Sequence, residues 1–124
     1  MNKRQFILDT LLPYRNDPSL CSIDKKTGYC LYLSEEGKTC AVGKHMKAGK
    51  WQKAIMGVEE LVVNYSISDI FTVDAEEQNL TIFEWYYIQN YHDSIATGAS
   101  IIQLNELLAR FEKETNLLFP ELYL

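Results

Sequence analysis

Apolar residues recur at helical spacing in three stretches of this chain, each with its own start signal. Near the beginning, Phe6, Ile7, Leu11 and Tyr14 form a stripe that Leu8 and Leu12 widen, and Asn2 with Gln5 makes a capping-box spacing ahead of it. Pro13 lacks an amide hydrogen and disfavours a helical conformation at Leu12, so this helix should kink or end near its last turn. A second helix should follow Thr81, with Glu84 three residues on, and run through Trp85, Tyr86, Ile88 and Tyr91 to about Asp93. Its aromatics cover most of the circumference, which predicts burial on more than one side. The last helix should be capped by Ser100 with Gln103 and carry Ile101, Leu104, Leu107, Leu108 and Phe111 on one face.

Between the first two helices the period changes. Residues 28–43 read as a β-hairpin: Tyr29 to Leu33 suits a pleated surface, and Glu35-Glu36-Gly37-Lys38 offers a glycine for a positive backbone angle. A three-residue loop setting Ser34 opposite Lys38 would place Tyr32 across from Cys40 and Cys30 across from Val42. Cys30 and Cys40 would then be diagonal neighbours at about 7 to 8 Å, too far for an unstrained disulfide. Residues 58–65 fit a short helix or a strand equally well. The expected architecture is α+β: one domain spanning 1–124, with an N-terminal helix, a β-hairpin and two to four further helices packed on it.

At 124 residues the chain can build an ordinary apolar core. Its apolar runs are far too short for a membrane span, and three cysteines without paired spacing suggest free thiols in a reducing cytoplasm. The charge is unevenly spread. Residues 38–58 carry Lys38, Lys44, Lys47, Lys50 and Lys53 and no acid, whereas residues 59–124 carry twelve acids against Arg110 and Lys113. Lys44, His45, Lys47, Lys50, Trp51 and Lys53 together could hold a phosphate or stack a base. The acidic remainder would repel an extended nucleic acid, so a compact anion such as a nucleotide is the ligand this segment suits. Solvated charged faces remain the commoner meaning of such a run.

Other constellations fall short of a known chemistry. Cys21, Cys30, Cys40 and His45 are zinc-type ligands, but tight Cys-x-x-Cys pairs are missing and buried free cysteines are common, so no metal is expected. His92-Asp93 invites comparison with HD phosphohydrolases, yet no Asp follows Asp93 to complete the ligand set. A Cys40–His92 nucleophile pair would need Asp93 to orient the ring, and adjacent helical residues project about 100° apart. No Gly-rich phosphate loop is present. The expectation is a protein without catalysis or cofactor, in which His92 packs and hydrogen-bonds within the fold.

Cys30, Tyr32, Gly37, Lys38, Cys40, Ala41, Val42 and Gly43, followed by Gln89, His92 and Asp93, form a pattern that resembles a family of small bacteriophage and prophage proteins. There a Cys-hairpin-Cys-Ala-Val-Gly segment precedes a Gln-x-x-His-Asp helix. The pattern departs directly after Gly43, where Lys44-His45-Met46 stands. The resemblance implies a phage or mobile-element accessory protein in the host cytoplasm. In that setting the acidic helices suit binding of a cationic host protein, for host takeover or counter-defence. The alternative is a sequesterer of a small anionic ligand, such as a signalling nucleotide, through the 44–53 lysine segment.

Overall fold

The structure, a computed structural model, describes residues 2–24, 30–47 and 67–124. Five α-helices lie among them: α1 (Lys3–Asn16), α2 (Ile67–Ile70), α3 (Val73–Glu77), α4 (Ile82–Ala96) and α5 (Ile101–Thr115). Short 3-10 turns occupy Pro18–Leu20, Gly43–His45 and Pro120–Leu122.

Local chemistry starts the long helices where the sequence indicates. Thr81 and Glu84 form a reciprocal capping box on α4, and Ser100 and Gln103 do the same on α5. Only half of the box expected on α1 forms. Asn2 Oδ1 accepts from the Gln5 amide at 2.8 Å, while the Gln5 side chain turns to Asp9 Oδ1 at 2.7 Å. Pro13 sits in the last turn of α1, which ends three residues later. Asn116 stops α5 by taking the left-handed conformation, with φ of 56°.

Helices α1, α4 and α5 pack together around Ile7, Leu11, Trp85, Ile88, Tyr91, Leu108 and Phe111, all essentially without exposure. The C-terminal tail returns over them, burying Phe119 and Leu122. Arg4 holds it through the Leu118 carbonyl and both carboxylate oxygens of Glu121, and Glu112 accepts from the Phe119 amide and the Tyr123 hydroxyl, both at 2.6 Å. Lys3 reaches the buried Glu84 at 2.9 Å and ties α1 to the start of α4. Two expected core positions, Tyr86 of α4 and Ile101 of α5, face outward instead, and Phe83 of α4 is exposed beside Tyr86.

The α+β architecture with a β-hairpin is not what forms. The described residues are mainly helical, without a sheet, and their extended pairing is limited to isolated antiparallel bridges at Ile23–Cys30, Leu33–Thr39 and Met46–Phe71. The turn itself is where Gly37 indicates: Ser34 N donates to Lys38 O at 2.8 Å, Gly37 N donates to Ser34 O at 3.0 Å, and Gly37 has φ of 82°. Pairing then fails within one step. Cys40 N meets Tyr32 O at only 3.4 Å, Val42 takes helical angles, and Gly43 opens a 3-10 turn. Cys30 pairs with Ile23, not with Val42. The reason is burial. Tyr32, Cys40, Ala41 and Val42 are all enclosed, whereas a ribbon with one wet face alternates. Tyr29 and residues 58–65 lie outside the described residues.

Gly43 is where this compact loop is tightest, because a Cβ there would fall 2.1 Å from the Tyr32 carbonyl oxygen. Backbone against backbone cannot yield by a rotamer change. Gly43→Ala should therefore lower stability by about 3 kcal/mol, the upper end of an ordinary overpacking cost, whereas Gly37→Ala should cost about 1 kcal/mol from its left-handed backbone alone. Denaturant midpoints of the two variants would show the difference; a Gly43→Ala protein as stable as the parent would refute the close approach.

Candidate functional site

Helical spacing puts Gln89, His92 and Asp93 of α4 on one side, facing the irregular segments 21–24 and 30–46. The structure joins them to the cysteines. Cys40 Sγ donates to Gln89 Oε1 at 3.1 Å and accepts from the Gly43 amide at 3.2 Å; Gln89 Nε2 donates to Asp93 Oδ1 at 2.6 Å. Cys21 Sγ lies 3.9 Å from the His92 carbonyl, and the edge-on ring of Tyr14 packs against that of His92 with centroids 4.8 Å apart. Thus Cys30, Tyr32, Cys40, Gly43, Gln89, His92 and Asp93, far apart in sequence, form or border one cluster, enclosed at His92 and Cys40 and half-buried at Cys30, Gln89 and Asp93. Gly37 serves the neighbouring turn.

His92 is fully buried, and its partners define its tautomer. The Ser22 amide donates to Nε2 at 3.1 Å, so the ring proton sits on Nδ1 and faces Asp93 Oδ1 at 2.9 Å. This corrects the expectation that Asp93 is badly placed for its neighbour. Nδ1 is the ring nitrogen closer to the backbone, and a short carboxylate at the next position reaches it although the two Cβ directions diverge. The Ser22 hydroxyl is buried without a hydrogen-bond partner, so only the backbone amide of Ser22 enters the network.

Cys30 Sγ, a ring nitrogen of His92 and a carboxylate oxygen of Asp93 lie within 4.8 Å of one another, a grouping of metal-ligand types. A neutral imidazole has one lone pair, however, and the Ser22 amide takes it. Binding a metal at Nδ1 would move the proton to Nε2, against that amide. The zinc set considered from sequence is not assembled either, since His45 belongs to another site. The thiols are equally poor nucleophiles. Burial first, then the nearby Asp93 carboxylate, pushes Cys21 up to about 11 and Cys30 up to about 12. Burial likewise pushes Cys40 up to about 12 despite amide donors from Gly43 and Val42. Cys40 donates to Gln89, and His92 has no free lone pair to act as its base. The cluster joins a loop to a helix.

His45 and Lys44 lie in a different place, a cleft of about 480 Å³ between α1, the Gly43–His45 turn and α3. The bridge at Met46–Phe71 positions it: Lys47 N donates to Ile70 O at 2.7 Å, and Thr72 N donates to His45 O at 2.9 Å. Thr10 gives its hydroxyl proton to Phe6 O, so its oxygen accepts from His45 Nε2 at 2.8 Å. Burial, and secondarily Lys44, holds His45 down to about 4. Lys44 is an exposed residue whose ammonium lies 3.4 Å from Thr10 O and 5.1 Å above the Tyr14 ring, and partial desolvation lowers its affinity for a proton. Asp9, Asp74 and Glu77 complete the lining. These carboxylates escaped the sequence reading because they lie on α1 and α3, and the segment from 66 to 80 carried no motif. Lys47 is exposed at the edge of the described loop; Lys50, Trp51 and Lys53 lie outside the described residues.

Two outcomes follow from this geometry. His92→Ala leaves the Ser22 amide and Asp93 without their partner and opens a cavity, so it should cost about 3 kcal/mol. His92→Gln, whose Oε1 can accept from that amide, should recover part of the loss. Protein purified without chelator should carry no stoichiometric zinc; an unmoved denaturant midpoint for His92→Ala, or one zinc per chain, would contradict the tautomer argument. For His45, the unfolded imidazole titrates near its ordinary 6.5 and the folded one near 4. The unfolded chain therefore binds more protons between those values. The stability due to a neutral ring is complete above pH 6.5 and is lost as pH falls towards 4, by an amount of order 3 kcal/mol. His45→Gln should flatten that slope in denaturant melts taken across the window; an identical slope in parent and variant would exclude it.

Among the described residues no helix is long and apolar enough to cross a membrane. No protein-family model, curated protein or solved structure matches the chain, and nothing in these comparisons indicates catalysis.

Proposed function

We propose that this chain acts by binding, and that it engages a basic segment of a partner protein through the cleft lined by Asp9, Asp74 and Glu77. The observation that carries this reading is the charge of the cleft: among the described residues three carboxylates face one ammonium, and the imidazole beside it is neutral at pH 7. The same observation weighs against the anion reading of the lysine segment. Lys44 points at a carbonyl and a ring face, and His45 uses its proton on Thr10. His45 offers no charge to a phosphate, the Lys44 ammonium is already engaged, and the surrounding acids would repel one. A lysine or arginine entering the cleft would meet carboxylates on two sides, from α1 and from α3.

The phage setting implied by the resemblance makes a host protein the partner to look for. In the same reading the chain works in a reducing cytoplasm, where Cys21, Cys30 and Cys40 stay as the free thiols they are here.

Affinity capture from a cell lysate tests the assignment. The retained protein should bind through a Lys/Arg-rich segment, and retention should fall as salt is raised from about 0.1 to about 0.5 M. Combining Asp9→Asn, Asp74→Asn and Glu77→Gln should weaken capture roughly tenfold or more, while Lys44→Gln, which removes a cation from the cleft, should tighten it. Capture that survives the triple change, or a nucleotide retained in place of a protein, would reverse the assignment.

A further inference from the structure

The first turns of α4 carry Ile82, Phe83, Tyr86 and Tyr87, and with Glu114 from the last turn of α5 they line a cavity of about 510 Å³. Phe83 is 64% exposed and Tyr86 37% exposed, while Trp85 and Ile88 of the same helix are fully buried. Two aromatic rings are thus left facing water beside a well-filled core. The rings of Tyr86 and Tyr87 stand 79° apart with centroids at 5.4 Å, making two walls of a corner. Tyr87 is held from behind by Phe111, stacked at 5.1 Å and 11°, which in turn packs on Phe119. The corner is therefore a fixed surface on one wall and an accessible one on the other.

We propose that this corner receives the guanidinium of an arginine on a partner protein. Aromatic ring faces carry a negative quadrupole that attracts a cation, and Glu114 adds a formal negative charge at the edge of the same cavity. No cation lines it. An apolar occupant would fill the corner but leave the Glu114 carboxylate desolvated and unpaired, and an anion would be repelled by it. A lysine ammonium is compact and strongly hydrated. A guanidinium is planar and weakly hydrated, so it can lie flat on one ring while directing two N–H groups at a carboxylate. The inference rests on this corner's own geometry and does not need the acidic cleft.

The test uses the full chain and three probes, N-acetyl-arginine amide, its neutral isostere N-acetyl-citrulline amide, and N-acetyl-trimethyllysine amide, with ring-proton NMR shifts of Phe83, Tyr86 and Tyr87 as the readout. Arginine should give saturable shifts, with citrulline and trimethyllysine each weaker by roughly tenfold. Phe83→Ala and Glu114→Gln should each weaken arginine binding several-fold without moving the thermal transition, because both side chains are exposed; Tyr86→Ala should weaken it as well, and Tyr86→Phe, which keeps the ring against Tyr87, should retain it. The variant with Asp9, Asp74 and Glu77 neutralised should bind the arginine probe as the parent does, so that failure here and failure of the cleft are distinguishable. Equal shifts from arginine and citrulline would mark a merely apolar groove and overturn the proposal. A preference for trimethyllysine, shifts that persist in Glu114→Gln and Tyr86→Ala, or no shift at all would overturn it too.

Discussion

The lone pair of His92 Nε2 is the point on which the irregular part of this fold depends. Residues 21–24 and 30–46 pack beside α1 and α4, among the described residues without a sheet to satisfy their backbone, and buried amides need partners. The Ser22 amide finds one in a ring nitrogen of α4. That bond sets the tautomer, the tautomer directs Nδ1 at Asp93, and Asp93 is held by Gln89, whose other end accepts from Cys40. Cys40 in turn accepts from the Gly43 amide, at the residue where the loop closes on Tyr32. Each group has its donor or acceptor role assigned by the one before it, and this makes the chain of bonds a specification of loop position as well as a source of stability.

This explains why a constellation that looks reactive on paper is chemically quiet. A thiol, an imidazole and a carboxylate in contact suggest a nucleophile with its base, but the roles run the wrong way. The imidazole accepts from a backbone amide, the thiol of Cys40 donates to an amide oxygen, and the carboxylate near Cys30 favours the protonated sulfur. A lowered thiol pKa needs positive potential; here the neighbouring charge is negative.

What the sequence made legible was local. Capping boxes on α4 and α5 and the glycine turn at Gly37 are decided within four residues, and they stand where the residues indicate. The hairpin was misjudged because β-propensity at Leu31 to Leu33 measures fitness for a pleated surface and says nothing of whether one face stays wet. Enclosing Tyr32 and Cys40 through Val42 removed that face. The pattern of Cys30, Tyr32, Cys40, Gly43, Gln89, His92 and Asp93 did select residues that meet, although their meeting is a matter of tertiary packing. The acidic cleft was invisible for the opposite reason. Asp9, Asp74 and Glu77 belong to no motif, and Lys44 suggested a basic segment only because its acidic neighbours are remote in sequence.

Burial separates the chain's polar residues by task. Glu84 and His92 are enclosed and fully engaged, one with Lys3 and its helix cap, the other with Ser22 and Asp93. Replacing either leaves a buried group unpaired, so their substitution reports on folding. Asp74, Glu77 and Glu114 are exposed, and their substitution leaves nothing buried without a partner. Exposed carboxylates that converge with opposing walls, in one case acids from two helices and in the other a corner of aromatic rings, are the places where charge can act on another molecule without first being needed by the fold. Binding therefore draws on a set of residues that the core can spare, and the acidic C-terminal half of the chain contributes to both sites.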